Sequence, residues 1–234
     1  MADGLRELFR NEIIIVHELD DMGRLDDAFA RKLEWPAGIK GQIFASGAPI
    51  PEELVLAPRF TYSRNLEFHI NLSVRKEWLQ RGVSSGSQVE QVADLPWEEL
   101  RELYIRIKHR IFSQLPWHKA DPEEDRRDVE AFEKKHGAYK VGCWKKAGAP
   151  AGIIGVRKWK DYLQQPVDWV SWVLVEESLP KEDRIAVRAL IGSWLYDNAG
   201  DRVECIVQSF NIRSLKFFLK LGFKPVSIHV YKGE

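Results

Sequence analysis

The chain has 234 residues, 44% of them apolar, with 35 basic and 35 acidic side chains. That apolar share excludes wholesale disorder, and the length suits one large domain or a medium domain with a smaller one. Zero net charge gives no global pull towards nucleic acid or an anionic surface. No window approaches the roughly 20 apolar residues of a membrane span.

In chain order, Ile13–Val16 reads as a buried strand, and Leu19–Leu33 as a helix closed by Trp35-Pro36. Gly38, Gly41, Gly47, Pro49 and Pro51 mark turns. Tyr62, Leu66, Phe68, Ile70, Leu72 and Val74 alternate, which predicts a half-buried strand from Leu66 onward. Ser84-Ser85-Gly86-Ser87 is the linker candidate. It divides an N-terminal α/β segment (1–83) from a second domain (87–234).

Gln88–Val92 is a strand candidate. Asp94 is placed to N-cap a helix with Pro96 in its first turn. Trp97, Leu100, Leu103, Tyr104, Ile107 and Ile111 form that helix's apolar face. Arg101, Arg106, Lys108, His109 and Arg110 read as its solvated face, so no nucleic-acid contact is assigned to them. Asp121-Pro122-Glu123-Glu124 opens a second helix, with Val129 and Phe132 inward and Gly137 at its end.

Strands follow at Ala138–Lys145, Ile153–Trp159 and Val167–Val175, the first two joined by a hairpin turn over Lys146–Pro150. On the third strand, Trp169 and Trp172 are expected on opposite faces. A helix spans Glu182–Asn198, a strand Val203–Gln208, a helix Asn211–Leu221 and a last strand Pro225–Tyr231. From residue 87 the order is β-α-α-β-β-β-α-β-α-β, an α/β sheet with hairpin and crossover connections. Cys143 and Cys205 fall on strands, outside any metal-ligand spacing, and read as small buried apolar residues. No metal site is expected. With no leader visible, a soluble cytoplasmic protein is the expectation.

The segment from Asn211 to Phe223 carries Asn211, Ser214, Phe217, Phe218, Lys220, Gly222 and Phe223 at set offsets. It resembles the acyl-CoA-binding end of the GCN5-related N-acetyltransferase (GNAT) family, as does the element order of 87–234. The resemblance implies a mixed sheet flanked by helices, with two neighbouring parallel strands splayed around acyl-CoA. It implies acetyl-CoA or another acyl-CoA as acyl donor, and direct attack on the thioester by an amine, in a small molecule or a protein. Val173, Leu174 and Val175 would pair with the pantetheine arm. Lys181, Arg184, Ile185 and Ala186 fall on the family's pyrophosphate loop, and Asn211, Ser214 and Phe218 on the other side of the donor.

Two departures stand out. The family's phosphate loop is glycine-rich, whereas here Arg184 takes the first glycine's place, and Glu182 and Asp183 add negative charge. The family often has a tyrosine acid where this chain has Phe218, which has no proton to donate. Glu176 and Glu177 at the end of the splayed strand are the candidate bases, and Ser214 is a candidate acid. Tyr231, His118 and Trp117 are weaker candidates for the site, and His229 reads as facing the sheet surface. The departures keep two alternatives open: a non-catalytic ligand-sensing or scaffold module, and an acyltransferase fed by acyl carrier protein. Only 11 residues follow Phe223, room for one terminal strand where the family often has two. That leaves an edge for the N-terminal segment or for a second chain, as in a homodimer.

Overall fold

In the computed structural model the described residues are 4–10, 14–33, 35, 39–46, 49–57, 60, 66–82, 88–115, 119–136, 139–161 and 164–232. They form two compact units. One is Met1–Val74 with Cys205–Glu234, the other Arg75–Glu204. The linker candidate Ser84–Ser87 lies outside the described residues.

In the first unit, β1 (Leu5–Arg10) pairs antiparallel with β2 (Ile14–Leu19), and β2 pairs parallel with β3 (Lys40–Ala45). Strand β4 (Leu66–Arg75) lies antiparallel to the C-terminal strand, which itself lies antiparallel to β3. Leu19–Leu33 is not one helix. Leu19 ends β2, Met22–Arg24 is a single 3-10 turn, and only α1 (Asp27–Lys32) is helical. Two aspartates restart the chain. Asp21 accepts from the Gly23 N–H at 2.8 Å, and Asp26 from the Phe29 N–H at 2.8 Å. Gly41 is not a turn residue but lies within β3. The Trp35 ring occupies its side-chain space, and an added Cβ would lie 1.8 Å from that ring. A short helix, α2 (Glu52–Leu56), follows. Ile13, Gly38, Gly47 and Tyr62 lie outside the described residues.

In the second unit, β5 (Val89–Val92), β6 (Lys140–Lys146), β7 (Ala149–Lys160) and β8 (Pro166–Val175) pair antiparallel in sequence. The β6–β7 hairpin turns at Ala147 (φ 49°) and Gly148 (φ 80°), a left-handed pair that matches strand twist. Helix α3 (Trp97–Phe112) covers one face. Leu100, Leu103 and Ile107 join Cys143, Ile153 and Leu174 in a buried cluster there. Its N-cap is Pro96, not Asp94, whose carboxylate instead accepts from the Leu95 N–H at 2.8 Å.

Helix α4 (Pro122–His136) begins as the sequence predicts, with the Glu123 N–H donating to Asp121. Val129 is buried, while the Phe132 side chain and Gly137 lie outside the described residues. Helix α5 (Lys181–Asn198) covers the opposite face, where Gly142 and Gly152 make room for Trp194 and Val187. Strand β9 (Arg202–Gln208) runs from the second unit into the first. It leads to α6 (Ile212–Lys220) and β10 (Lys224–Lys232).

The neighbours of β10 are β3 and β4, both from the N-terminal segment, and β4 lies between β9 and β10. Cys143 and Cys205 are both buried, and burial pushes the Cys143 thiol up to about 12. Among the described residues no group of His, Cys, Asp or Glu could hold a metal ion, and no helix is long and apolar enough to cross a membrane.

Candidate functional site

Strand β8 is paired along its length with β7, from Lys160↔Pro166 to Gly152↔Val175. On its other side β9 is a parallel neighbour, with Asp168↔Val203 and Trp169↔Glu204. At the same place the register slips by one: Val156 faces Val170, while Gly155 faces Trp172. Ser171 is thus the extra residue of a β-bulge, which bends the strand and frees backbone groups from the ladder.

The bulge corrects one expectation. Arg157 and Gly155 point to the same face of β7, and their partners are Trp169 and Trp172. The two tryptophans therefore share a face. The alternation rule places residues three apart on opposite faces only when no residue is inserted between them. Gly155 is needed for this arrangement, since a Cβ there would lie 2.2 Å from the Trp172 ring.

Beyond Val175 the chain reaches Glu176 and Glu177. The Glu176 N–H donates to the Ala151 carbonyl at 3.0 Å, extending the β7 pairing by one step. Arg106 of α3 donates to the Glu176 carboxylate at 2.5 Å, and Arg110, one turn on, lies 3.1 Å from Glu177. Burial works to raise the Glu176 carboxyl. The Ser178 N–H and hydroxyl, with Arg106 and Arg110, outweigh it and hold the group below its ordinary value. Glu176 is therefore ionised and a weak proton acceptor. Arg106 and Arg110 are not merely a solvated helix face; they tie α3 to the end of β8.

Helix α5 starts at Lys181 after Pro180, with no side chain capping it. Its first N–H groups and dipole favour an anion. Lys181, Glu182, Arg184 and Ile185 are exposed, and Ala186 is buried. Arg184 donates to the Glu177 carbonyl at 3.3 Å, so it leans back over the β8–α5 connection. Asp183 is buried and bonded to Lys146. That partner offsets one of the two acidic charges that the sequence sets against a phosphate. Val173, Leu174, Val175, Glu176, Glu177, Lys181, Arg184, Ile185 and Ala186 thus lie along one continuous stretch of the second unit.

Asn211, Ser214 and Phe218 stand on α6 in the first unit. Asn211 is buried and accepts from the Ser214 N–H at 3.1 Å, capping the helix. Gly222 (φ 98°) closes it, with Gly222 donating to Leu219 and Phe223 to Phe218. Ser214 is half-buried. The Phe218 ring is buried between Phe217 and Phe223, at centroid distances of 5.4 and 5.1 Å. Tyr231 carries Lys40 over its ring at 5.3 Å. Trp117 and His118 lie outside the described residues. Sequence reasoning missed the bulge at Ser171 and the two arginine–glutamate ties, which depend on pairing across elements.

No family model matches the sequence, and no curated protein sequence does. Among solved structures, a GCN5-related N-acetyltransferase from Kribbella flavida aligns over 94% of this chain and 81% of its own, at 11% identity and a TM-score of 0.44. One from Sphaerobacter thermophilus aligns over 97% and 76%, at 10% identity and 0.44. A conserved protein of Staphylococcus epidermidis, described as functionally unknown, aligns over 83% and 73%, at 11% identity and 0.48. At these TM-scores the likeness says nothing of substrate or chemistry. In fold the chain is mixed α/β, a sheet flanked by helices.

Proposed function

We propose that the chain is an N-acyltransferase that moves an acetyl or longer acyl group from acyl-CoA to an amine. The observation that carries this reading is the bulged strand β8 leading directly into the uncapped start of α5. A thioester arm needs backbone donors and acceptors along one side, and its diphosphate needs a positive helix end. The backbone of Val173, Leu174 and Val175 offers the first. Lys181, Arg184 and the N–H groups leading to Ile185 and Ala186 offer the second. Asn211, Ser214 and Phe218 are assigned to the donor's other side by the resemblance.

The amine lone pair attacks the thioester carbonyl carbon, and the oxyanion takes N–H groups freed at the Ser171 bulge. Collapse forms the amide and expels the CoA thiolate. The ammonium proton leaves to Glu177 directly or through water, since Glu176 is held as a weak base. The thiolate takes its proton from Ser214 or solvent, because Phe218 has none. Phe218 and the glycine-free loop favour a second reading, a ligand-sensing or scaffold module that binds without turnover. A donor on acyl carrier protein fits the same loop, since its arm has no adenosine diphosphate end.

Thermal shift with CoA, acetyl-CoA and longer acyl-CoAs tests the proposal, because a ligand that binds the folded state raises Tm. A rise is expected, with thiol release when an amine is added. Paired Lys181→Ala and Arg184→Ala substitutions should weaken CoA about tenfold and leave acetyl-pantetheine unchanged. No shift at millimolar ligand sinks the CoA-dependent enzyme. Binding without thiol release across an amine panel selects the sensor.

A further inference from the structure

Arg157 differs from its cationic neighbours Lys145, Lys146 and Lys158 on β6 and β7. Those three lysines each hold a carboxylate. Arg157 has no carboxylate partner among the described residues, and its Nε is shut from water with no hydrogen bond. Its surroundings are aromatic instead. The guanidinium carbon lies 4.3 Å from the Trp159 ring centroid and 5.9 Å from that of Tyr139. Tyr139 in turn lies 6.0 Å from Trp172. The register sets Arg157 opposite Trp169, two residues from Gly155, whose missing side chain admits the Trp172 ring.

Arg157 is half-buried, and shutting its Nε from water without a partner is costly. Stacking on ring faces returns only part of that and leaves the in-plane N–H donors for a planar anion. Trp159 is 50% exposed, so this wall opens to solvent at one end. Its place along β8 fits a substrate. With the donor's phosphates at α5, the arm runs from Val175 back to the bulge at Ser171. Trp169 and Arg157 then lie just past the thioester, where the acceptor would enter.

Building on the acyltransferase reading, we propose that Arg157 receives the carboxylate of the acceptor amine, which makes the acceptor a free amino acid with an aromatic side chain. The carboxylate takes paired hydrogen bonds from the guanidinium. The side chain lies among Tyr139, Trp159, Trp169 and Trp172. A protein lysine has no such carboxylate beside its amine, and a simple amine has none at all.

Three probes separate the groups: L-phenylalanine, phenethylamine (ring and amine alone) and 3-phenylpropionate (ring and carboxylate alone). Each is titrated calorimetrically into the full chain, with and without saturating CoA. Phenylalanine and phenylpropionate should bind about ten- to a hundredfold more tightly than phenethylamine. Arg157→Met should erase that difference while keeping the thermal response to CoA. Equal binding of phenylalanine and phenethylamine to the unsubstituted chain, or no binding of either, overturns the assignment. So does a difference that survives Arg157→Met. Should that variant fail to fold, Arg157→Lys and the comparison on the unsubstituted chain decide. Phenylpropionate reads the anchor without acyl transfer. A chain that ignores CoA but loses phenylpropionate on Arg157→Met refutes the transferase and keeps the anchor.

Discussion

His229 on β10 shares a sheet face with Gln42, Ser227, His69 and Tyr231, as the registers of β3, β10 and β4 require. Alternation alone places it opposite Ile228 and Val230, hence on a surface. That face is nonetheless closed over by its neighbours: His229 is 9% exposed and its Nε2 has no partner among the described residues. Burial, then the charges of His69 and Lys40, push its imidazole down to about 3. His17, on the other face against Trp35, is lowered too, chiefly by burial. A histidine depressed in the fold binds its proton first in the unfolded chain. Stability is therefore whole above about pH 6.5 and falls as pH drops towards 3, by at most about 1.4 kcal/mol per unit for His229. His229→Gln should flatten that acid limb, leaving the smaller slope from His17. Urea midpoints at pH 7, 6 and 5 read the difference, and an unchanged slope refutes it.

At the scale of elements, helical periodicity in the sequence located α3, α4, α5 and α6 because each buries its own stripe. What periodicity could not give is what the opposite face touches. Arg101 to Arg110 looks like a solvated row, yet Lys108 is 8% exposed. It reaches Glu124 at 3.0 Å, Asp125 at 3.1 Å and Asp128 at 2.6 Å on α4, and His109 reaches Asp125. Burial opposes the Lys108 charge, but these carboxylates prevail and raise it well above the usual lysine value. Lys108→Met leaves three carboxylates facing one another and should cost about 1–3 kcal/mol. Arg106→Ala removes a pair whose arginine is 59% exposed and should cost no more than about 1 kcal/mol. Denaturant unfolding of the two variants side by side checks the ranking, and hydrogen exchange in α4 should rise for the first alone. The bulge in β8 escaped the sequence for a related reason. An inserted residue shows only in the register with β7, and Trp169-Val170-Ser171-Trp172 alternates no differently without it.

For the whole molecule, the part legible from sequence is the part built from local contacts: the β6–β7 and β7–β8 hairpins and the β8–α5–β9–α6–β10 run. The N-terminal segment was harder because its strands find partners far along the chain. Leu66 pairs with Lys232 and Lys40 with Tyr231, separations that no local pattern can report. Pairing predicts how the protein breaks. Residues 88–234 alone leave β10 without β3 and β4, exposing Ile228 and Val230, both fully buried in the intact chain. That fragment should be insoluble or lack dispersed amide resonances, whereas a self-sufficient second domain would fold. Co-expression of residues 1–83 as a separate chain should restore a soluble complex, because the missing strands pair through backbone hydrogen bonds that need no covalent link. A well-folded 88–234 fragment would show instead that β10 finds its own partner.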